Sequence, residues 1–405
     1  MAAGHELHPL VLVPGQSGNQ LEARLTEDYR PPPPPPPPAL QAPQAAGWFR
    51  IWMDRSLLLD SVAQRCFAHQ LSLFYDPDAD DFRNVPGVDT RVPFFGSTEG
   101  LRFLDPDRKD SSICMDTLVK SLQEIGYQDS LNLFGAPYDF RYSLAAGSHP
   151  SKVATQFLQD LRELVEQASK MNGDRPVIIL THSYGGLLTL HLLNRNPSWW
   201  CRKFIKHFIA LSAPWGGIVA EMFTFTSGDT MGMPLVDPLI IRELFRRTES
   251  NLWLLPSPKT FGDRPLVVTR DRNYSATDMA EFLQAIGFQE GVKPYVSRIL
   301  PLLEEMAAPG VPVTCIIGVG VDTPETYLYD GEGKFDEPPE VVSGDGDGLV
   351  NLASLLALES EWSDAPEQEL KVIKIPNATH AGILTQDFAV REIIRRVLDA
   401  NSVPA

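Results

Sequence analysis

The chain contains 405 residues, of which 43% are hydrophobic and 21% are charged, so it can form a substantial core and is not globally disordered. The formal net charge of −17 argues against a general nucleic-acid-binding protein, which needs a basic surface to displace counterions. The four cysteines show no CxxC pair and no zinc-ligand spacing, and they are too few for a disulfide scaffold.

The amino-terminal residues lack the charged segment and the apolar run that define a signal peptide. No uninterrupted apolar stretch reaches the ~18 residues of a membrane-spanning helix. We therefore expect a protein that is soluble as given. Because its net charge is −17, any contact with lipid is expected to rely on apolar and aromatic groups.

The first predicted element is a strand at residues 9–13, an apolar run that Pro14 and Gly15 end. Eight consecutive prolines then occupy residues 31–38. Such a tract must be an extended polyproline II helix, and it can join neither a sheet nor an α-helix. A surface loop insertion is the preferred interpretation of this tract, and a recognition site for a partner is the alternative.

The next segment, within residues 45–75, is rich in aromatic and aliphatic side chains, including Trp48, Phe49, Trp52 and residues 57–59. One interpretation is a helix of the protein core. The other is an exposed amphipathic element that inserts at a lipid interface, where aromatic side chains are favoured. The residues themselves leave both interpretations open.

Further along, short apolar runs alternate with helical patterns. Apolar spacing predicts helices at 152–170 and 187–194, and apolar runs predict strands at 176–180, 204–211, 312–318 and 370–375. This alternation is typical of the α/β class with a parallel sheet. Residues 219–311 combine glycines, prolines and mixed helical patterns, and they predict an insertion over the main sheet.

The strongest local signal is the sequence VIILTHSYGGLL, in which a buried strand runs into a turn and a helix leaves it. Ser183 lies at the apex, as in a nucleophile elbow. Glycine is favoured two residues before and after such a serine; Gly185 fills the later position, whereas Thr181 occupies the earlier one. A serine that caps the following helix is the alternative interpretation.

A serine hydroxyl needs a base to remove its proton, and that base is usually histidine. In this arrangement the chain order is serine, acid, histidine. Of the histidines after Ser183, His191 lies two helical turns from the elbow and His207 lies inside a predicted strand. His380, in a loop after the last predicted strand, is therefore the expected base.

The acid is expected between Ser183 and His380, in a loop after a strand. The segment SGDGDGLV offers Asp345 and Asp347, and we prefer Asp347 because Asp-Gly-Leu-Val is similar to the acid loop of many lipases. Asp345 is the rival. An EF-hand calcium loop beginning at Asp345 fails, because Leu349 and Val350 would stand where an oxygen ligand and a glycine are needed.

An oxyanion hole requires fixed backbone N–H donors. One donor normally comes from the residue after the nucleophile, here Tyr184, and the other from a loop after an early strand. Gln16, in the turn between Gly15 and Gly18, is the expected second donor. A plain turn is the alternative interpretation of those glycines.

These motifs together resemble the lecithin–cholesterol acyltransferase family, most closely its plant members. The resemblance covers nearly the whole chain and rests on LVPGQSGNQLEARL near the start, GAPYDFRY at 135–142, THSYGG, LSAPWGG at 211–217, TSGDTMGMP at 226–234, GVPVTCIIGVGVDTP at 310–324 and DGDGLVNLAS at 345–354.

The resemblance implies an α/β-hydrolase domain over residues 8–400, with a mostly parallel sheet, flanking helices, and a cap and lid inserted at 219–311. It implies transfer of an acyl group from phospholipid to a lipid alcohol such as a sterol, at a membrane or lipid-particle surface, with neither a cofactor nor a metal ion. Transfer to water, as in a phospholipase A, is the alternative.

The resemblance also assigns residues. It implies the triad Ser183, Asp347 and His380, with Gln16 and Tyr184 as oxyanion donors. Trp52 becomes a lipid-binding residue in a membrane-binding subdomain at 45–75, and a mobile lid is expected near residues 227–247.

Some family features are missing from the sequence. Cys66 and Cys315 each match one half of a family disulfide, but the partner positions, near the proline tract and near Leu355, lack cysteine. The family suggests the secretory pathway or endomembranes, yet this chain shows no signal sequence. Sequons at Asn273 and Asn377 matter only if the chain reaches a lumen.

Overall fold

The computed structural model describes residues 7–33, 47–54, 61–147, 149–229, 236–329 and 335–402. The strands in chain order are β1 Leu10–Val13, β2 Leu21–Leu25, β3 Phe49–Trp52, β4 Leu73–Asp76, β5 Asp81–Asn84, β6 Val88–Arg91, β7 Leu133–Gly135, β8 Val177–His182, β9 Ile205–Leu211, β10 Val267–Val268, β11 Asn273–Tyr274, β12 Val313–Val319, β13 Val321–Leu328, β14 Glu340–Gly346 and β15 Leu370–Pro376.

The α-helices in chain order are α1 Ser61–Leu71, α2 Glu99–Arg102, α3 Asp116–Glu124, α4 Lys152–Met171, α5 Tyr184–Arg195, α6 Ser198–Phe204, α7 Ala220–Thr226, α8 Pro238–Arg246, α9 Glu249–Trp253, α10 Pro258–Phe261, α11 Met279–Ala285, α12 Gln289–Pro294, α13 Leu352–Leu355, α14 Ala357–Glu361 and α15 Asp387–Ser402. Shorter 3₁₀ or π-helical turns lie at Pro106–Ser111, Ala276–Asp278, Tyr295–Ile299, Leu302–Glu304 and Gly382–Leu384.

The described part of the chain is built around a six-stranded sheet with the order β15-β12-β9-β8-β1-β7. Every neighbouring pair of strands in it is parallel. The strands predicted at 9–13, 176–180, 204–211, 312–318 and 370–375 correspond to β1, β8, β9, β12 and β15. Because all strands point the same way, the loops that follow them meet at one edge, where sites of open α/β sheets form.

Both faces of this sheet are covered by helices. Leu10 and Leu12 of β1 point into a core shared with α3 and α15, whereas Val11 and Val13 point into a core shared with α4, α5 and α6. All four side chains are fully buried. A strand that is buried on both faces reads as a continuous apolar run, which is why β1 was predictable from sequence.

The described residues within 219–311 add no strand to the six-stranded sheet. They form the helices α7 to α12, and the short strands β10 and β11 join β13 and β14 in a separate sheet of order β11-β10-β13-β14. The division into a domain at 8–400, a subdomain at 45–75 and a cap at 219–311 stays a prediction. Part of the predicted lid, residues 230–235, lies outside the described residues.

Residues 45–75 do not form a single helix, so the interpretation as a core helix is wrong for their first part. Phe49–Trp52 is a strand that pairs antiparallel with β2, which also pairs with β6. Its aromatic side chains suit a pleated strand better than a helix. Residues 57–59 and most of the proline tract lie outside the described residues.

The four cysteines, Cys66, Cys114, Cys201 and Cys315, are free thiols. Within the described ranges, no helix is both long enough and apolar enough to cross a membrane.

Candidate active site

Ser183 stands between β8 and α5 with a backbone φ of 52° and ψ of −128°. A non-glycine residue with positive φ is strained by about 1–3 kcal/mol, and such strain is found at functional sites. The turn is held by hydrogen bonds from Ser183 N to Leu211 O and from Gly186 N to Ser183 O, at 2.8 and 2.9 Å. The Ser183 side chain makes no capping hydrogen bond to α5, so its hydroxyl is left for another partner.

Two glycines allow the loop after β1 to pack directly against this turn. A Cβ atom on Gly15 would lie 2.9 Å from Ser183 Cβ, and one on Gly185 would lie 2.4 Å from Pro14 O. Both distances are too short for a side chain. The glycines therefore bring the backbone beside Gln16 up to the serine.

Thr181, at the position where the motif usually has glycine, is accommodated because it still belongs to β8. It is fully buried, and it pairs with Val13 of β1 and Ala210 of β9. The sharp change of direction comes later, at Ser183. The Oγ1 atom of Thr181 has no hydrogen-bond partner among the described residues.

Ser183, His380 and Asp347 form a continuous hydrogen-bonded chain. The distance from His380 Nε2 to Ser183 Oγ is 3.0 Å, and that from His380 Nδ1 to Asp347 Oδ2 is 2.8 Å. Since a carboxylate only accepts, Nδ1 donates to Asp347 and the lone pair of Nε2 faces the serine hydroxyl. This tautomer can take up the serine proton.

Asp347 is fully buried and fixed by three hydrogen bonds. Its Oδ1 accepts from the N–H groups of Leu349 and Val350 at 3.1 and 2.8 Å, while Oδ2 accepts from His380. Burial raises the pKa of Asp347, but the charge and hydrogen bond of His380 and the two N–H groups outweigh burial and hold that pKa below its usual range. The carboxyl group is therefore ionised at neutral pH.

Asp345 lies elsewhere. Its exposed side chain accepts a hydrogen bond from Gly320 N at 2.6 Å. Of the two acids that the sequence offered, the structure brings Asp347 to His380.

The two predicted oxyanion donors adjoin the elbow, Tyr184 as the next residue of the chain and Gln16 through its neighbour Gly15. Tyr184 is the first residue of α5, where a backbone N–H has no partner within the helix. Its ring is fully buried and packs edge-on against Trp253 at 5.3 Å between ring centroids. Gln16 follows Gly15, which touches the elbow. When the carbonyl carbon of a substrate bonds to Ser183 Oγ, this arrangement can place the backbone N–H groups of Gln16 and Tyr184 near the carbonyl oxygen.

Trp52 is buried, with 6% of its surface exposed, and it does not face solvent in this structure. Its Nε1 donates to Ser17 O at 2.9 Å. The ring lines a cavity of about 20 Å³ together with Gln16, Leu244 and Phe245. A cavity of this size has room for about one water molecule, so an acyl chain can enter only if neighbouring side chains move.

Sequence reasoning missed His182, which precedes the nucleophile. Its Nε2 donates to His380 O at 3.0 Å, and the two imidazole rings lie 4.8 Å apart. Burial, and then the charge of His380, lower the pKa of His182 to about 3. His182 is thus neutral beside the base and links the elbow to the loop that carries His380. The position of His182 directly before the nucleophile, in the motif THSYGG, was the sequence signal that could have identified it.

Among the described residues, no group of three or more His, Cys, Asp or Glu side chains is arranged to hold a metal ion.

Comparison with known proteins decides the family. The family described as "Lecithin:cholesterol acyltransferase" matches residues 48–298 and 293–387 of the chain. The chain belongs to the lecithin:cholesterol acyltransferase family. This family assignment confirms the one predicted from the sequence motifs.

Members of the lecithin:cholesterol acyltransferase family align with almost all of the chain. "Lecithin-cholesterol acyltransferase-like 1" of Arabidopsis thaliana is 52% identical over 401 residues, which cover 98% of this chain and 91% of that protein. "Lysosomal phospholipase A and acyltransferase" of Homo sapiens is 36% identical over 393 residues, covering 96% and 90%. "Phosphatidylcholine-sterol acyltransferase" of Mus musculus is 32% identical, covering 98% and 86%.

Among solved structures, a chain of the Tle4–Tli4 complex superposes with a TM-score of 0.54 at 14% identity, covering 99% of each chain. At this identity the likeness concerns the fold alone. The predicted fold class, an α/β-hydrolase with a parallel sheet flanked by helices, is confirmed.

Proposed function

We propose that this protein transfers an acyl group from a phospholipid to a lipid alcohol through an acyl-enzyme on Ser183. The observation that carries the proposal is the hydrogen-bonded chain from Ser183 Oγ through His380 to the buried Asp347. Membership of the family and the names of the relatives supply the substrate class, phospholipid as donor and a sterol or similar alcohol as acceptor.

In the first half-reaction, Ser183 Oγ attacks the ester carbonyl carbon of the phospholipid while His380 Nε2 takes the hydroxyl proton. Asp347 stabilises the imidazolium that forms. The N–H groups of Gln16 and Tyr184 donate to the carbonyl oxygen as it becomes negative. When the tetrahedral intermediate collapses, the bond to the glycerol oxygen breaks, His380 protonates that oxygen, and the lysophospholipid leaves.

In the second half-reaction, His380 removes a proton from the acceptor hydroxyl, whose oxygen attacks the acyl carbon on Ser183. Collapse of this intermediate returns the proton to Ser183 Oγ and releases the new ester. With water as acceptor, the same steps release a fatty acid, which makes the protein a phospholipase A. The phospholipase A activity is the second candidate function. It is supported by the human relative, whose name includes phospholipase A beside acyltransferase.

The acyl chain is proposed to bind beside Trp52, because this ring lines the cavity next to Gln16. Since the cavity holds about one water molecule, Leu244 and Phe245 of α8 must move for a lipid to enter. This requirement supports the prediction that residues 227–247 include a mobile lid. We also propose that the protein works at a membrane or lipid-particle surface.

We further propose that the chain is a protein of the secretory pathway or endomembranes. The relatives named as lysosomal support this location. Both sequon asparagines, Asn273 and Asn377, are exposed, so an oligosaccharide fits at either. A shift in mobility after glycosidase treatment of protein from plant cells, lost in the double Asn→Gln variant, is expected. No shift, together with a cytosolic fraction, contradicts this location.

The proposed function is tested with vesicles of phosphatidylcholine labelled in the acyl chain, with and without sterol, for the wild type and Ser183→Ala. Label in sterol ester, absent in Ser183→Ala, is the expected result. Label in free fatty acid alone supports the phospholipase. Full transfer by Ser183→Ala means that another residue carries the acyl group.

A further inference from the structure

The loop between β1 and β2 is held by side chains that donate to its carbonyl groups. Tyr138 Oη donates to Pro14 O, and Trp52 Nε1 donates to Ser17 O, both at 2.9 Å. These contacts fix the loop on either side of Gln16. Neither contact involves Gln16 itself, whose backbone N–H is one of the two proposed oxyanion donors.

Gln16 is held through its side chain by α9, about 234 residues further along the chain. Its Nε2 donates to Ser250 Oγ at 2.8 Å and also to Asn251 Oδ1. Ser250 is fully buried and Asn251 is 1% exposed, so water does not compete with the Gln16 amide for either acceptor. Fixing the end of the Gln16 side chain restricts rotation of the backbone that bears its N–H.

The donor directions within this cluster agree with one another. Ser250 Oγ donates its hydrogen to Phe140 O at 2.6 Å, so its lone pairs are free to accept from Gln16. Asn251 Nδ2 donates to Phe245 O at 3.0 Å, so Oδ1 is the acceptor that faces Gln16. Ser250 Oγ thus donates to Phe140 O and accepts from Gln16, while Asn251 donates through Nδ2 and accepts through Oδ1, so every donor in this cluster faces an acceptor.

We propose that Asn251 is a positioning residue which, together with Ser250, holds the Gln16 side chain so that the Gln16 N–H is directed at the oxyanion. The inference rests on the proposed function, because it requires an oxyanion at Ser183. It also gives α8 an influence on the chemistry. Phe245 O, in the last turn of α8, is held by the same Asn251 amide that holds Gln16.

The test is a double-mutant cycle of Gln16→Ala and Asn251→Ala, assayed on a short soluble ester that does not depend on a lipid surface. Gln16→Ala keeps the backbone N–H and removes only its anchor. Each single variant is expected to lower kcat by about 10- to 100-fold with KM within about twofold, because a misdirected donor weakens transition-state binding. The double variant is expected to lose no more than the worse single variant, since both substitutions break the hydrogen bond between Gln16 and Asn251.

Asn401→Ala is the matched control. Asn401 also donates to a backbone carbonyl, Val397 O, and accepts from a backbone N–H, that of His8, but at the opposite edge of the sheet. It is expected to lower Tm and leave kcat unchanged, which separates loss of stability from loss of donor position.

Two outcomes overturn the inference: wild-type kcat in Gln16→Ala, or losses that multiply in the double variant. Gln16 lies half-buried in a loop, so its variant decides the matter even if Asn251→Ala fails to fold. Ser183→Ala is assayed in parallel. If it retains the wild-type rate, the proposed function itself is wrong; if it is inactive and Gln16→Ala is unaffected, only the positioning role is wrong.

Discussion

Replacing Asp347 with asparagine tests the direction of proton transfer in the candidate triad. The single side-chain oxygen of asparagine can keep the hydrogen bonds from Leu349 and Val350, so its NH₂ group replaces Oδ2 and faces His380 Nδ1. His380 must then accept at Nδ1 and carry its proton on Nε2. In that tautomer it has no lone pair for the proton of Ser183.

The expected loss in kcat is about 10⁴-fold, the size found for the equivalent substitution in a serine protease triad. At 1.36 kcal/mol per tenfold, this corresponds to about 5 kcal/mol of transition-state stabilisation. KM is expected to change little, because Asp347 is fully buried behind His380 and does not reach substrate.

The assay is saturating hydrolysis of a short soluble ester, together with the rate at which a fluorophosphonate labels the protein. Asp345→Asn is the matched control, since Asp345 is exposed and asparagine can still accept the hydrogen bond from Gly320 N. It is expected to stay within about twofold of the wild type. The reasoning is refuted if Asp347→Asn keeps more than about a tenth of kcat, or if Asp345→Asn loses as much.

Three further substitutions test other parts of the site. Gly15→Ala is expected to lower kcat by about 100-fold, because its Cβ would lie 2.9 Å from Ser183 Cβ and displace the loop; an unchanged kcat contradicts that close approach. His182→Gln is expected to make stability less sensitive to acid. The pKa of His182 is about 3 in the folded protein and ~6.5 in the unfolded chain. Between these pH values only the unfolded chain gains a proton as the pH falls. The free energy of unfolding of the wild type therefore drops by about 2 kcal/mol by pH 5. Urea unfolding at pH 7 and pH 5 measures the free energy of unfolding of the wild type and of His182→Gln. If both proteins lose the same unfolding free energy between these pH values, the result counts against a buried neutral imidazole. Trp52→Phe is expected to cost about 1–3 kcal/mol of unfolding free energy, because Ser17 O loses its donor; an unchanged urea midpoint shows that this hydrogen bond contributes nothing.

The elements predicted from sequence are those whose residues carry a strong local signal. Strand β8 begins with the apolar run 177–180, β9 ends with the apolar run 208–211, and α4, predicted at 152–170, spans Lys152–Met171. The elbow was predictable because the strand, the turn glycine and the helix are adjacent in sequence. The order of serine, acid and histidine then selected His380, the histidine that lies beside Ser183 in the structure.

The remaining features depend on contacts between distant parts of the chain. The edge strand β7 has only three residues, Leu133–Gly135, too few for a periodic pattern. Phe49–Trp52 became a strand because β2 offers it a pairing edge. The sequence favoured Asp347 and kept Asp345 as a rival, because the final choice depends on which side chain is buried beside His380. The contact of Gln16 with α9 has no local signal at all.

The most direct test of the central proposal is to trap the acyl group on the protein. Wild-type protein and Asp347→Asn are mixed with phosphatidylcholine vesicles, quenched in acid within one turnover, digested and analysed by mass spectrometry. We expect a fatty acyl adduct on Ser183 in the wild type and almost none in Asp347→Asn. An adduct on another residue, or product formation by Ser183→Ala at the wild-type rate, would contradict the proposed mechanism.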